Sequence, residues 1–86
     1  MIKIKCTTQY DLGLMRHQSR IVNYVLPFKS TITGIYNGKS FNMKQPVSIG
    51  FAAVREGEPL KIIVEGEDEF EAAKAVLTVL SLESLG

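Results

Sequence analysis

The chain has 86 residues, 45% hydrophobic and 22% charged, and carries a formal net charge of +1. That length suits a single domain, 1–86, and a charge so near zero gives bulk electrostatics no case for a nucleic-acid partner. No apolar run approaches the ~20 residues of a membrane span. Met1-Ile2-Lys3-Ile4-Lys5 alternates like a strand and does not form the apolar block of a signal peptide, so a cytoplasmic protein is expected. One cysteine, Cys6, leaves no partner for an internal disulfide.

Residues 2–8 read as a first strand, with Ile2, Ile4 and Cys6 on one face. Cys6 therefore reads as a buried structural thiol, since no second cysteine or nearby histidine supports reactivity. Gln9 to Leu14 is a loop, with Gly13 expected at a positive φ. A helix over 16–26 follows, its buried stripe made by Ile21, Val22, Val25 and Leu26. Pro27 ends it by pushing the preceding residue out of helical geometry.

Residues 30–36 and 39–44 form a hairpin about Asn37-Gly38, because both turn residues tolerate the positive φ of a type I′ turn. Ile32, Gly34 and Tyr36 alternate on one face, as do Phe41 and Met43. Gln45-Pro46 opens a short helix over 46–53, where proline suits the first turn. Leu60, Ile62 and Val64 mark a fourth strand. The last helix, 68–83, buries Phe70, Ala73, Leu77 and Leu80. Glu67, Asp68, Glu69 and Glu71 crowd its start, where carboxylates favour the helix dipole, so no metal is needed to explain them.

The order is β-α-β-β-α-β-α. It predicts an α/β (α+β) sandwich in which helices cover one face of a four-stranded antiparallel sheet. The other face carries Lys3, Lys5, Thr31, Thr33, Ser40, Asn42 and Lys61. One histidine, one cysteine and no paired carboxylates leave no triad and no metal set, so no enzyme chemistry is expected.

The element order, the stretch Asn37-Gly38-Lys39-Ser40-Phe41-Asn42-Met43-Lys44 and Gly66-Glu67-Asp68-Glu69 resemble HPr, the histidine-containing phosphocarrier of the bacterial sugar phosphotransferase system. The resemblance covers nearly the whole chain. It implies an open-faced β-sandwich with three helices, needs no cofactor, and implies other proteins as partners and no small-molecule substrate. The family's active loop reads Gly-x-His-x-Arg-Pro, and the matching stretch here is Gly13-Leu14-Met15-Arg16-His17-Gln18. Met15 stands where the phosphorylated histidine belongs, and His17 where the family has arginine. Gln45 occupies the place of the regulatory serine of Gram-positive members, and it offers no hydroxyl.

Phosphoryl relay needs an exposed imidazole nitrogen and donors that hold the phosphate, which the free amides of a helix start supply. A thioether accepts no phosphoryl group. His17 is the alternative acceptor, although a two-residue displacement turns a side chain by about 200° on a helix. Otherwise His17 is a partly exposed structural or partner-contacting residue.

Arg16, His17 and Arg20 make the first helix start electropositive, suited to an anion or an acidic partner. By the resemblance, the first two helices form the docking surface, with Met15, Val47 and Phe51 as its apolar patch and Arg16 and Arg20 as its rim. Three readings follow. The first is a regulatory or adaptor protein acting by protein–protein contact. The second is a carrier that takes phosphate from enzyme I on His17 and passes it to a sugar-specific component. The third is a small ligand- or partner-binding domain with no link to the phosphotransferase system.

Overall fold

The computed structural model describes residues 1–81. The elements run β1 (Ile2–Thr7), α1 (Met15–Val25), β2 (Thr31–Tyr36), β3 (Lys39–Asn42), α2 (Pro46–Ala52), β4 (Pro59–Glu65) and α3 (Glu69–Ser81). This is the expected β-α-β-β-α-β-α order. The four strands form one antiparallel sheet in the order β1-β4-β2-β3. Its register sets Ile4 against Ile62, Ile62 against Gly34 and Gly34 against Phe41. Ile4, Ile32, Phe41, Leu60, Ile62 and Val64 are buried beneath the helices. The opposite face is open: Lys3, Lys5, Thr31, Ser40, Asn42 and Lys61 are exposed there and Thr33 is half-buried. Period-2 alternation thus separates core from solvent along every strand.

The turn at Asn37 and Gly38 has φ of 53° and 76°, the two positive values that a type I′ hairpin requires. Gly13 departs from expectation, because the positive-φ glycines among the described residues are Gly38, Gly57 and Gly66. The Asp11 side chain accepts the Gly13 N–H at 2.7 Å and builds the bend instead.

α1 ends at Val25, but Leu26 keeps helical geometry (φ −58°, ψ −36°), contrary to the expected effect of Pro27. Its N–H still donates to the Val22 carbonyl at 2.8 Å. Pro27 stops the helix by having no N–H to offer the next carbonyl, and Phe28 closes a tighter turn onto Val25 at 3.2 Å.

α3 also differs from its expected stripe. Ala72, Ala73, Val76, Val79 and Leu80 face the core, whereas Phe70 and Leu77 are exposed. Its apolar residues run nearly all round, so spacing alone does not single out the buried face. The part of the expected helix beyond residue 81 lies outside the described residues.

Three of the four carboxylates at the start of α3, all but Glu71, have separate partners among the described residues. Asp68 accepts hydrogen bonds from the Lys29 N–H at 2.8 Å, the Ser30 N–H at 2.9 Å and the Ser30 hydroxyl, joining the α1–β2 turn to α3. Those bonds, the Ser30 hydroxyl first, hold its carboxyl down at about 2. Glu69 meets the Met1 ammonium at 2.7 Å, which with a bond from the Gly66 N–H lowers its own pKa. Glu67 lies 3.7 Å from Lys29.

Candidate functional site

The site is built where the β1–α1 loop meets α1 and α2. Tyr10 and Leu12 are buried and anchor the loop. The Leu12 N–H donates to the Val54 carbonyl at 2.8 Å, and the Gln18 side-chain amide donates back to the Leu12 carbonyl at 3.0 Å. Gln18 packs so near Gly50 of α2 that a methyl there would lie 3.1 Å from its amide nitrogen. Hydrogen bonds therefore tie the loop to α1 and to the segment after α2, and α1 packs closely on α2 at Gly50.

α1 begins at Met15 after an extended Leu14 (ψ 130°) that makes no capping hydrogen bond from its side chain. The Leu14 carbonyl accepts from the His17 and Gln18 N–H groups at 3.0 and 3.1 Å. The amides of Met15 and Arg16 have no acceptor among the described residues. No acidic residue lies in this first turn, so its partial positive charge is uncompensated. Arg16 is exposed beside it, and Arg20, one turn on, is half-buried.

His17 corrects an expectation. It is only 2% exposed, not a partly exposed member of the surface set. Four residues before Ile21, it falls on the core-facing stripe of α1 and is carried under the loop. Its Nδ1 lies 2.7 Å from the Asp11 carbonyl, so Nδ1 carries the proton and donates. Nε2 is buried and has no hydrogen-bond partner among the described residues. The ring packs on Tyr10 at a centroid distance of 4.3 Å, tilted by 47°. The Tyr10 hydroxyl donates to the Val79 carbonyl, and burial pushes its pKa up to about 12. In this arrangement neither nitrogen of His17 is open to a phosphate donor.

The remaining candidates lie outside. Met15 is 77% exposed, Val47 69% and Phe51 86%. Val47 and Phe51 are four residues apart on α2 and share its outer face, while Ile49 points inward and is fully buried. The apolar residues of α2 are thus divided between core and surface. Gln45 is the exposed residue before Pro46 at the start of α2 and makes no capping bond from its side chain. Cys6 is half-buried, which pushes its thiol pKa up. Sequence reasoning missed Tyr10 and Leu12 as the floor of the loop. Their apolar side chains in a stretch read as loop were the available signal.

No group of three or more His, Cys, Asp or Glu side chains suited to a metal occurs among the described residues. No described helix is long and apolar enough to cross a membrane.

Comparison with known proteins agrees with this geometry. A family profile, PTS-HPr, described as "PTS HPr component phosphorylation site", matches residues 2–81. The phosphocarrier protein HPr of Lysinibacillus sphaericus is 33% identical over 66 residues, 77% of this chain and 75% of that protein. The crystal structure of HPr-C-His from Thermoanaerobacter tengcongensis superposes with a TM-score of 0.85 at 27% identity, covering 93% of this chain and 91% of that one. The histidine-containing phosphocarrier protein of Mycoplasma superposes with a TM-score of 0.83 at 25% identity, covering 91% and 90%. A profile match over nearly the whole chain and a shared fold lead to one conclusion: this chain belongs to the HPr family, the phosphocarrier proteins of the bacterial phosphotransferase system, which are not enzymes.

Proposed function

We propose that this member of the HPr family is a cytoplasmic regulatory or adaptor protein that works through protein–protein contact, without the family's usual phosphohistidine. The observation that carries the reading is the exposure of three apolar side chains, Met15 at 77%, Val47 at 69% and Phe51 at 86%, on the two helices that flank the loop. Large apolar groups held in water on rigid elements favour a partner that covers them. Arg16, Arg20 and the uncapped start of α1 supply a positive rim, which favours acidic groups on that partner. On the register set by Gly13 to Gln18, a thioether stands at the phosphoacceptor position, and Gln45 removes the regulatory hydroxyl.

The test is incubation with enzyme I and labelled phosphoenolpyruvate, alongside binding measurements on phosphotransferase components and regulators. The adaptor reading expects no acid-labile label and a saturable interaction that Val47→Asp or Arg20→Glu weakens. Label that disappears in His17→Ala would overturn it in favour of a displaced phosphohistidine, for which the ring would have to leave its buried seat against Tyr10.

A further inference from the structure

β1 is an edge strand. Among the described residues, the sheet order β1-β4-β2-β3 pairs it on one side only, from Ile2 opposite Val64 to Thr7 opposite Pro59. Alternate residues of an antiparallel edge turn their N–H and C=O groups outward, so β1 presents an unfilled hydrogen-bonding ladder.

α3 runs beside this strand in the same direction. At one end Glu69 meets the Met1 ammonium at 2.7 Å, and at the other Leu77 lines a cleft with Cys6 and Thr7. Phe70 is 72% and Leu77 48% exposed. Seven residues apart, they share one helix face and lie about 10 Å apart along the axis. That face turns toward the cleft beside β1. Leu77 beside the half-buried Cys6, with Ile2 on the same strand face, gives this edge an apolar ledge.

The other face of the same strand is basic. Lys5 stands directly opposite Lys61, a like-charge cross-strand pair. Lys3, Lys5 and Lys61 make no ion pair among the described residues. Glu65, on the same face of β4 and diagonal to Lys3, makes none with them either.

We propose that β1 is a docking edge for an extended segment of a partner protein in which acidic residues alternate with apolar ones. Its backbone completes the ladder, its carboxylates meet Lys3 and Lys5 on the open face, and its apolar side chains lie on the ledge toward Leu77 and Phe70. A carboxylate beside Lys5 also relieves the repulsion from Lys61, which selects for acid at that position. A second copy of this chain fits less well. Two β1 strands paired antiparallel in one continuous sheet bring the Lys3 and Lys5 of one against those of the other. This surface lies apart from α1 and α2, so the proposal stands independently of the adaptor reading.

The test is titration of the ¹⁵N-labelled chain with a capped peptide that alternates glutamate and valine. The expected result is chemical-shift change and slowed amide exchange confined to β1, with shifts at the Leu77 methyl groups. Affinity should fall about tenfold in Lys5→Glu and as salt is raised, and also in Leu77→Ser. Circular dichroism should show both variants folded. The same peptide with lysine in place of glutamate should not bind. Equal binding of the lysine peptide, shifts confined to α1 and α2, no response at β1, or self-association of the chain through β1 without a response to peptide would each overturn the proposal.

Discussion

The Phe41 ring fills the space over Gly34, its cross-strand partner on β2, so closely that a methyl group on Gly34 would overlap it. Glycine is needed there for room, since Gly34 is not among the residues with positive φ. The ring closes the β3 end of the core, where Phe41 is the only buried residue of β3. Gly34→Ala should therefore displace the ring and destabilise the fold by about 1–3 kcal/mol, the usual range for overpacking a tight site. Urea unfolding checks this, and the double variant Gly34→Ala with Phe41→Leu should recover part of the loss.

His17 is part of the core, and its removal should show it. His17→Ala leaves a cavity beside Tyr10 and releases the Asp11 carbonyl from its hydrogen bond. A loss of roughly 2–4 kcal/mol is expected, against less than about 0.5 for a surface histidine. Chemical denaturation distinguishes the two.

Asp68 makes stability depend on pH at the acid end. Its folded-state pKa, about 2, lies below its ordinary 3.8, so the unfolded chain takes up the proton first as pH falls. The contribution is fully present above the unfolded value and is lost as pH drops from there through about 2. Asp68→Asn should therefore be less stable than the parent at pH 6, and the gap should close between about pH 4 and 2. Paired unfolding curves across that range measure it.

Ala53 ends α2 in the left-handed region, with φ 52° and ψ 43°. A Cβ is unfavourable there, and glycine is the usual residue at such helix ends. Ala53→Gly is expected to stabilise the protein by about 0.5–1 kcal/mol, since relief of strain exceeds the added freedom of the unfolded chain. A rise in thermal midpoint of a few degrees would show it.

Much of this molecule is legible in its amino-acid order. Alternation placed the strands, Asn37-Gly38 set the hairpin, and Pro46 marked the start of α2, because each acts through local backbone geometry. The exposed trio on α1 and α2, Met15, Val47 and Phe51, was nameable from the family resemblance. His17 was not: whether a residue on the edge of a helix stripe is covered depends on the loop above it, and Tyr10 and Leu12 provide that cover only once the loop is tied to Val54.

Order and type of elements thus came from the sequence by itself, since helical and extended periods are properties of neighbouring residues. Tertiary structure alone decided which face of α3 is wet, because its apolar residues surround the helix and only contact with the sheet and α1 selects among them. It also decided that β1 lies at the edge, since strand order is set by pairings between distant segments. The buried imidazole and the open ladder along β1 both arise from such long-range packing, which local pattern does not encode.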